Sequence, residues 1–307
     1  LAYREIYKLH STYIVGLLEK QRKGIIHPSF RQHGTETGRL SCSNPNLQQL
    51  PRRSDGFNIR KAFIPREGHV FVISDLSQIE LRVAAFLCKD PILVRAFQEG
   101  KDVHQETADA LDMIRFVKGE NMTEAEKKKE ARGLAKTVNF GLLYSRSAYG
   151  MHKGLNMNPK EAEAFIEAYF AKFKNFKILI EQAKNTLKKH YAIRTLFKRK
   201  RRFPGYPAAK KSGDWKEVAG MERQALNSII QGSAADIIKL QMRLMWEQLK
   251  PYDAHLLVTI HDEVIVEVPE AKAEEVLVLV KSIMESNPKL GDVPLVADSF
   301  IANCWKK

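Results

Sequence analysis

The chain is poor in cysteine, in long apolar runs and in repeated sequence, and each shortage narrows what it can be. Three cysteines occur in 307 residues, Cys42, Cys88 and Cys304, all far apart. That odd, scattered set excludes a disulfide framework and a thiolate metal site, and points to a reducing compartment. No run approaches the roughly 18 consecutive apolar residues that cross a bilayer, so no membrane partner is expected. Leu1 to Lys20 carries Tyr, Glu, Lys and His throughout, which excludes a secretory signal. Internal repeats and long low-complexity linkers are lacking. The chain starts at Leu1, without Met and inside a helical pattern, and so reads as a piece of something longer.

Acidic residues are also in deficit. Fifty Lys and Arg stand against 36 Asp and Glu, a net charge of +14. That balance suits a polyanionic partner, either nucleic acid or an anionic membrane surface, and a merely soluble basic protein could carry it equally well. An apolar fraction of 44% over this length supports one large domain or two to three subdomains.

The local patterns predict an α+β chain. Residues 1–20 read as helix. Gly34 to Arg53 is polar and turn-rich, a loop. His69 to Ser74 is an apolar run that reads as a buried strand ending at Asp75, and Ile79 to Leu87 as a helix. Further helices extend to about residue 190, one opened by Thr123 with Glu126 three residues on, a capping-box signature. Residues 198–217 form a basic insert read as a loop with a short strand before it, and a helix is expected from Glu222 to Leu249. Two strands, His255 to Ile260 and Val264 to Val268, flank His261-Asp262-Glu263; a helix from Glu270 to Ser286 and a strand from Leu295 to Ile301 follow. A strand, a long helical excursion and then a hairpin imply an α+β core with a helical lobe inserted.

Asp75 stands at a strand end and Asp262-Glu263 at a tight turn. Carboxylates fixed on a rigid sheet beside solvent are hard oxygen ligands of the kind Mg²⁺ prefers. Two such ions, roughly 3.5–4 Å apart, would serve phosphoryl transfer. By spacing alone, the same residues also fit a helix cap and a polar turn. Likewise Arg132, Lys136, Phe140 and Tyr144 recur at i+4 steps. This makes a cation-and-aromatic strip suited to phosphate, sugar and base, or equally an amphipathic helix with snorkelling cations.

The motifs resemble those of family A DNA polymerases, the DNA polymerase I family. Asp75-Leu76-Ser77-Gln78-Ile79-Glu80-Leu81-Arg82 is similar to that family's first palm motif, and His261-Asp262-Glu263-Val264 to its last. Arg132 through Asn139-Phe140-Gly141-Leu142-Leu143-Tyr144 resembles the fingers helix, and Thr37 to Ser41 with Asn46-Leu47-Gln48 the primer-terminus motif. The four matches fall in order and span nearly the whole chain. The resemblance implies a right-hand architecture: a palm with an antiparallel sheet and helices, an inserted and mostly helical fingers subdomain, and a remnant of the thumb. The corresponding boundaries are 1–22 thumb, 23–86 palm, 87–222 fingers and 223–307 palm.

It also implies roles. Asp75, Asp262 and the Leu76 carbonyl would bind two Mg²⁺ ions, with Mn²⁺ able to substitute, and Glu263 would be an auxiliary catalytic carboxylate. Arg132 and Lys136 would hold the triphosphate, Lys136 also acting as general acid. Phe140, Tyr144, Gln78 and Glu80 would meet the rest of the incoming deoxynucleotide, with Glu80 crowding out a ribose 2′-hydroxyl. Phe140, lacking the hydroxyl of Tyr, implies poor use of dideoxynucleotides. Ser145 replaces the family's usual Gly at the fingers hinge. His104 resembles a phosphate contact, or is a surface histidine. Arg39, Asn46, Gln48, Arg223, Asn227, Gln231 and His261 would touch primer–template DNA. Lys198 to Arg202 would grip template phosphates, or form a solvated charge run.

Lys8-Leu9-His10-Ser11-Thr12-Tyr13 resembles the end of the thumb, so the missing N-terminal part of the same protein, with its thumb and any exonuclease domain, is an expected partner. The implied activity is template-directed addition of deoxynucleotides to a primer 3′-OH with release of pyrophosphate. A single-subunit RNA polymerase, a two-metal nuclease and a non-catalytic nucleic-acid-binding module are the alternatives. Two locations stay open: the cytoplasm or nucleoid of a bacterium or phage host, and an organelle reached through a lost targeting segment.

Overall fold

The computed structural model describes residues 3, 7, 9–51, 58–117, 122–144, 148–152, 154–155, 157–287 and 289–306. Lys8, Arg52, Arg53 and Ser145 lie outside them. The elements, in chain order, begin with a π-helical turn Leu9–Val15 that passes into Gly16–Leu18. Then come β1 (Ser29–Arg31), β2 (Ser41–Ser43), β3 (His69–Leu76), α1 (Ile79–Cys88), α2 (Pro91–Gln98), α3 (Val103–Ala110), α4 (Glu124–Leu143), α5 (Pro159–Lys172) and α6 (Lys174–His190). They are followed by β4 (Ala192–Arg194), β5 (Lys200–Arg202), α7 (Tyr206–Ser212), α8 (Trp215–Gln248), β6 (His255–Ile260), β7 (Glu263–Pro269), α9 (Ala273–Glu285) and β8 (Ala297–Ala302). No described helix is long and apolar enough to cross a membrane.

The chain divides into two compact units. The first holds the described residues up to Ser77, Ala235–Ser286, and those from Leu295 onward; the second holds Gln78–Ala234 and Asn287–Pro294. The first unit is built on a four-stranded antiparallel sheet in the order β6-β7-β3-β8. β3 is apolar without alternation because both of its faces are covered. Phe71 and Ile73 pack with Ile260, Ile265, Ala302 and Trp305 against Leu47, Leu50 and Ile59. On the other face lie Val70, Val72, Val264, Val266 and Val268, and α9, which buries Val276, Val280, Ile283 and Met284, packs on β3, β7 and β8. The buried Ser74 hydroxyl pairs with that of half-buried Ser299 at 2.7 Å, so the polar group inside the sheet is satisfied.

The second unit is mainly helical. α4 opens with the expected capping box, the Thr123 hydroxyl and Glu126 carboxylate serving each other's backbone N–H. α5 opens with another, between Asn158 and Glu161. Leu187, Ile193, Phe203, Tyr206, Val218, Met221 and Ala225 form one of its cores.

Three local expectations change. The polar stretch 34–53 contains β2, paired in register with β1, and a 3₁₀ turn Leu47–Gln49. β3 runs through Asp75 to Leu76 instead of stopping at it. The expected short strand before the insert 198–217 is β4, but the insert itself is no loop: it supplies β5, which pairs with β4 as a hairpin, then α7, and α8 begins at Trp215, ahead of the expected Glu222. Buried Phe203, Tyr206, Ala209 and Val218 give that polar-looking segment enough apolar contact to fold.

Candidate active site

In the first unit, antiparallel pairing sets Asp75 opposite Glu263 on β7 and opposite Asp298 on β8. Ile260 pairs with Glu263, so His261-Asp262 is a two-residue hairpin turn. His261 takes φ 60°, the left-handed conformation such turns demand and non-glycine residues rarely adopt. The Asp262 carbonyl accepts the Leu76 N–H at 3.1 Å, which ties the tip of the turn to the end of β3. Asp75 and Asp262 are partly exposed, whereas Glu263 is fully buried. Glu263 accepts from Trp305 Nε1 at 3.0 Å and lies 3.8 Å from Arg60 Nη1. The Arg60 guanidinium stacks 4.5 Å from the Trp305 ring centre and donates to the Leu50 carbonyl at 2.9 Å. Asp75 is not at the N-cap of α1: that position is taken by Gln78, in a left-handed conformation and with no capping bond from its side chain.

The two partly exposed carboxylates and a nearby carbonyl are a donor set suited to Mg²⁺. That ion is held by one or two carboxylates, with water and substrate phosphate completing its shell. Among the described residues, no group of three or more His, Cys, Asp or Glu is placed to hold a metal, so no all-protein cage is present there. Nearby in the same unit, Arg39, Gln48, Lys239, Thr259 and His261 line a small recess. Gln48 Nε2 donates to the Thr259 carbonyl at 3.2 Å, and Asn46 caps the 3₁₀ turn by accepting from the Gln48 N–H.

In the second unit, Arg132, Lys136 and Phe140 lie along α4 and Tyr144 is its C-cap. The Phe140 and Tyr144 rings stack with centres 6.5 Å apart, and the His104 ring lies 5.6 Å from Phe140. Arg132 Nε donates to Asp102 Oδ2 at 2.6 Å, while Asp102 Oδ1 caps α3 by accepting from the N–H of His104 and Gln105. Burial pushes the Asp102 carboxyl up, but Arg132 and the two backbone donors outweigh it and hold it below the usual range. Glu80 is buried, not a solvated helix charge, and Tyr144 Oη donates to its Oε2 at 2.9 Å. His104 is buried too, so the surface alternative fails; burial first, then Arg132 and Lys136, lower its pKa to about 4 against the pull of Asp102. Lys136 stays exposed. A Cβ on Gly141 would overlap the Met151 thioether, which accounts for glycine inside this helix.

The model for DNA polymerase family A matches residues 1–307. The chain belongs to that family. It is 44% identical over 308 residues to a thermostable DNA polymerase I of Thermus filiformis, covering 99% of this chain and 35% of the relative. To DNA polymerase I of Streptococcus pneumoniae strain R6 it is 40% identical over 310 residues, covering 99% and 34%. Among solved structures it is similar to the POL domain of Pol1 from M. smegmatis, in complex with DNA primer-template and dNTP. That match has a TM-score of 0.85 and 33% identity over 99% of this chain and 52% of the other. The chain thus spans about 35% of the length of the curated relatives it matches. The mixed fold with an antiparallel sheet is the one the family resemblance implied.

The basic insert is fastened to α8. In β5, Arg201 turns onto α8 and donates to Ser228 and Gln224, and Arg199 donates to the Gly232 carbonyl at 3.0 Å. Alternate residues Lys200 and Arg202, with Arg194 paired to Lys200, are exposed. On α8 itself, Arg223, Asn227 and Gln231 follow at i+4 steps, with Arg223 exposed and the other two half-buried. Six further residues were assigned no role from the sequence: Asp102, Asn139 (although it lies within the fingers-helix motif), Tyr169, Arg60, Trp305 and Asp298. Only Asp102 carried a local signal, as an Asp directly before a helix; the others meet the site through tertiary contact.

Proposed function

We propose that this chain carries the nucleotidyl-transfer site of a template-directed DNA polymerase, adding deoxynucleotides to a primer 3′-OH and releasing pyrophosphate. The observation that carries this reading is the tie between the His261-Asp262 turn and the end of β3. It joins the two carboxylate motifs, far apart in the chain, into one corner of one sheet. Asp75, Asp262 and the Leu76 carbonyl would hold two divalent ions, Mg²⁺ or in its place Mn²⁺. When bound, such ions lower the pKa of the attacking hydroxyl and neutralise charge on the transferring phosphate. Arg132, held by Asp102, exposed Lys136 and His104 bind the triphosphate, and Lys136 protonates the leaving pyrophosphate. Glu80, buried under the Tyr144 hydroxyl, selects deoxyribose; Gln78, Phe140 and Tyr144 meet the sugar and base.

Arg39, Asn46, Gln48, Arg223, Asn227, Gln231 and His261 contact primer–template DNA, chiefly through atoms common to all base pairs. Residues 1–22 are the thumb remnant, 23–86 and 223–307 the palm and 87–222 the fingers; in support, the chain divides into two compact units near these bounds, at Ser77/Gln78 and Ala234/Ala235, with Asn287–Pro294 joining the second. The test is primer extension with dNTPs, with rNTPs and with no nucleotide, using the chain joined to the N-terminal part of its protein. Extension with dNTPs and Mg²⁺ alone supports the reading. Extension only with rNTPs favours an RNA polymerase, primer degradation a nuclease, and no extension overturns it.

A further inference from the structure

Behind the cation-bearing strip of α4 runs a buried polar chain. Tyr169 Oη donates to Asn139 Oδ1 at 3.1 Å. Asn139 Nδ2 reaches Thr107 Oγ1 at 3.0 Å and His104 Nδ1 at 3.2 Å. Thr107 Oγ1 lies 2.7 Å from the Val103 carbonyl.

The donor directions can be solved from one end. Burial pushes ionisation of Tyr169 far above its ordinary range, so its hydroxyl is neutral and has a proton to place. The acceptor in reach is the Asn139 amide oxygen. With the amide turned the other way, the hydroxyl oxygen could accept from the NH₂, but the buried hydroxyl proton would lose the acceptor it has in Oδ1. The oxygen therefore faces Tyr169 and the nitrogen faces Thr107 and His104. Thr107 gives its proton to the Val103 carbonyl, since a second contact to Asn139 Oδ1 is much longer at 3.4 Å, and so accepts from Nδ2. The other Nδ2 proton points at His104 Nδ1, which must offer a lone pair. The imidazole proton then sits on Nε2.

We infer that Asn139, oriented by Tyr169, is a positioning residue that fixes His104 as the neutral Nε2–H tautomer, a hydrogen-bond donor without charge. This rests on the proposed contact between His104 and the triphosphate of the incoming nucleotide. The charged groups facing His104 are Asp102, Arg132 and Lys136. Two of them, Arg132 and Lys136, are basic, so the strip already carries positive charge for the phosphates. A neutral donor adds direction there without strengthening the hold on departing pyrophosphate. The low pKa of His104 agrees with the geometry, because a protonated Nδ1 would confront the Asn139 N–H.

The test uses the whole chain, ring-¹⁵N-labelled at histidine. Long-range NMR should show His104 with a bare Nδ1 and a protonated Nε2, titrating below pH 5; an Nδ1–H tautomer, or a midpoint near the ordinary histidine value, overturns the inference. Asn139→Asp places an acceptor opposite Nδ1 and should raise the midpoint into the neutral range. A charged donor holds a phosphate oxygen about ten-fold more tightly than a neutral one. The ratio of variant to wild-type KM for dNTP should therefore change by about that factor between pH 6 and 8, with little change in kcat. A ratio flat with pH in a folded variant whose midpoint has risen counts against the inference. If Asn139→Asp does not fold, the wild-type spectrum alone decides. His104→Gln separates the two layers: an unchanged KM with the expected wild-type tautomer overturns the triphosphate contact and not the tautomer.

Discussion

Asp75 and Glu263 face each other across β3 and β7, yet one carboxylate is partly open to solvent and the other is sealed beneath Trp305 beside Arg60. The neighbouring acids of one motif differ likewise, with Asp262 partly exposed and Glu263 buried. Asp75→Ala or Asp262→Ala should cut primer extension by on the order of 10³-fold or more, the effect of losing several kcal/mol of metal-borne stabilisation. The thermal midpoint should hardly move. Glu263→Ala should instead destabilise the fold by about 3–5 kcal/mol, because it removes the anion beside a buried guanidinium. Urea unfolding alongside extension assays distinguishes the two. An unfolding midpoint in Glu263→Ala equal to that of the parent would contradict this division.

Glu80 accepts from the Tyr144 hydroxyl at 2.9 Å, so the sugar gate proposed at Glu80 would have two parts. Glu80→Ala should lower discrimination against ribonucleotides about a hundred-fold, since the steric block goes with the side chain. Tyr144→Phe keeps the ring and removes one hydrogen bond to a charged acceptor, worth about 2 kcal/mol. It should loosen the gate by about ten-fold. Competition between matched dNTP and rNTP in single-nucleotide insertion measures both. Equal discrimination in Tyr144→Phe and the parent would mean the hydroxyl does not position Glu80.

Acid should unfold the second unit in two separable steps. His104 has a folded pKa of about 4 against an ordinary 6.5, so the unfolded chain takes up the proton first as pH falls. Its contribution is complete above pH 6.5 and is lost progressively down to about pH 4, amounting to about 3 kcal/mol. Asp102 works in a lower window. Its folded pKa is depressed, so its contribution is present above the ordinary carboxylate value and is lost as pH falls through the folded one. Stability measured by denaturant at stepped pH should therefore decline first between 6.5 and 4, and His104→Gln should flatten that decline while leaving the lower one.

Which of these features could be read from residues alone depended on whether their contacts were local. β3, β6 and β7 announced themselves because a buried strand must be apolar and a two-residue turn must be polar. The α4 capping box was legible because its partners are three residues apart. The His104–Asn139–Tyr169 chain was not, because its members come from three helices and each is an ordinary polar residue in isolation. Glu263 looked like a second exposed acid because nothing in the motif foretells Trp305, which arrives from the far end of the chain. The basic insert misled in the opposite way: five consecutive cations suggested a loop, and strand alternation sorts the last three, Lys200, Arg201 and Arg202, into two faces.

That sorting gives a prediction with a sign for each face. Arg194, Lys200 and Arg202 project from the exposed face of the β4–β5 hairpin, whereas Arg201 clamps the hairpin to α8 through Gln224 and Ser228. Each cation that neutralises a DNA phosphate adds about 0.9 to the slope of log affinity against log salt. Replacing the three exposed cations by Ala together should lower that slope by up to about 3 and weaken binding most at low salt. The thermal midpoint should stay near the parent's. Arg201→Ala should do the reverse, lowering the midpoint through loss of two side-chain hydrogen bonds and changing the slope little. Fluorescence anisotropy of labelled primer–template over a salt series reads the slope directly. A slope unchanged in the triple variant would leave the exposed face as solvated charge, with only the clamp contributing to the protein.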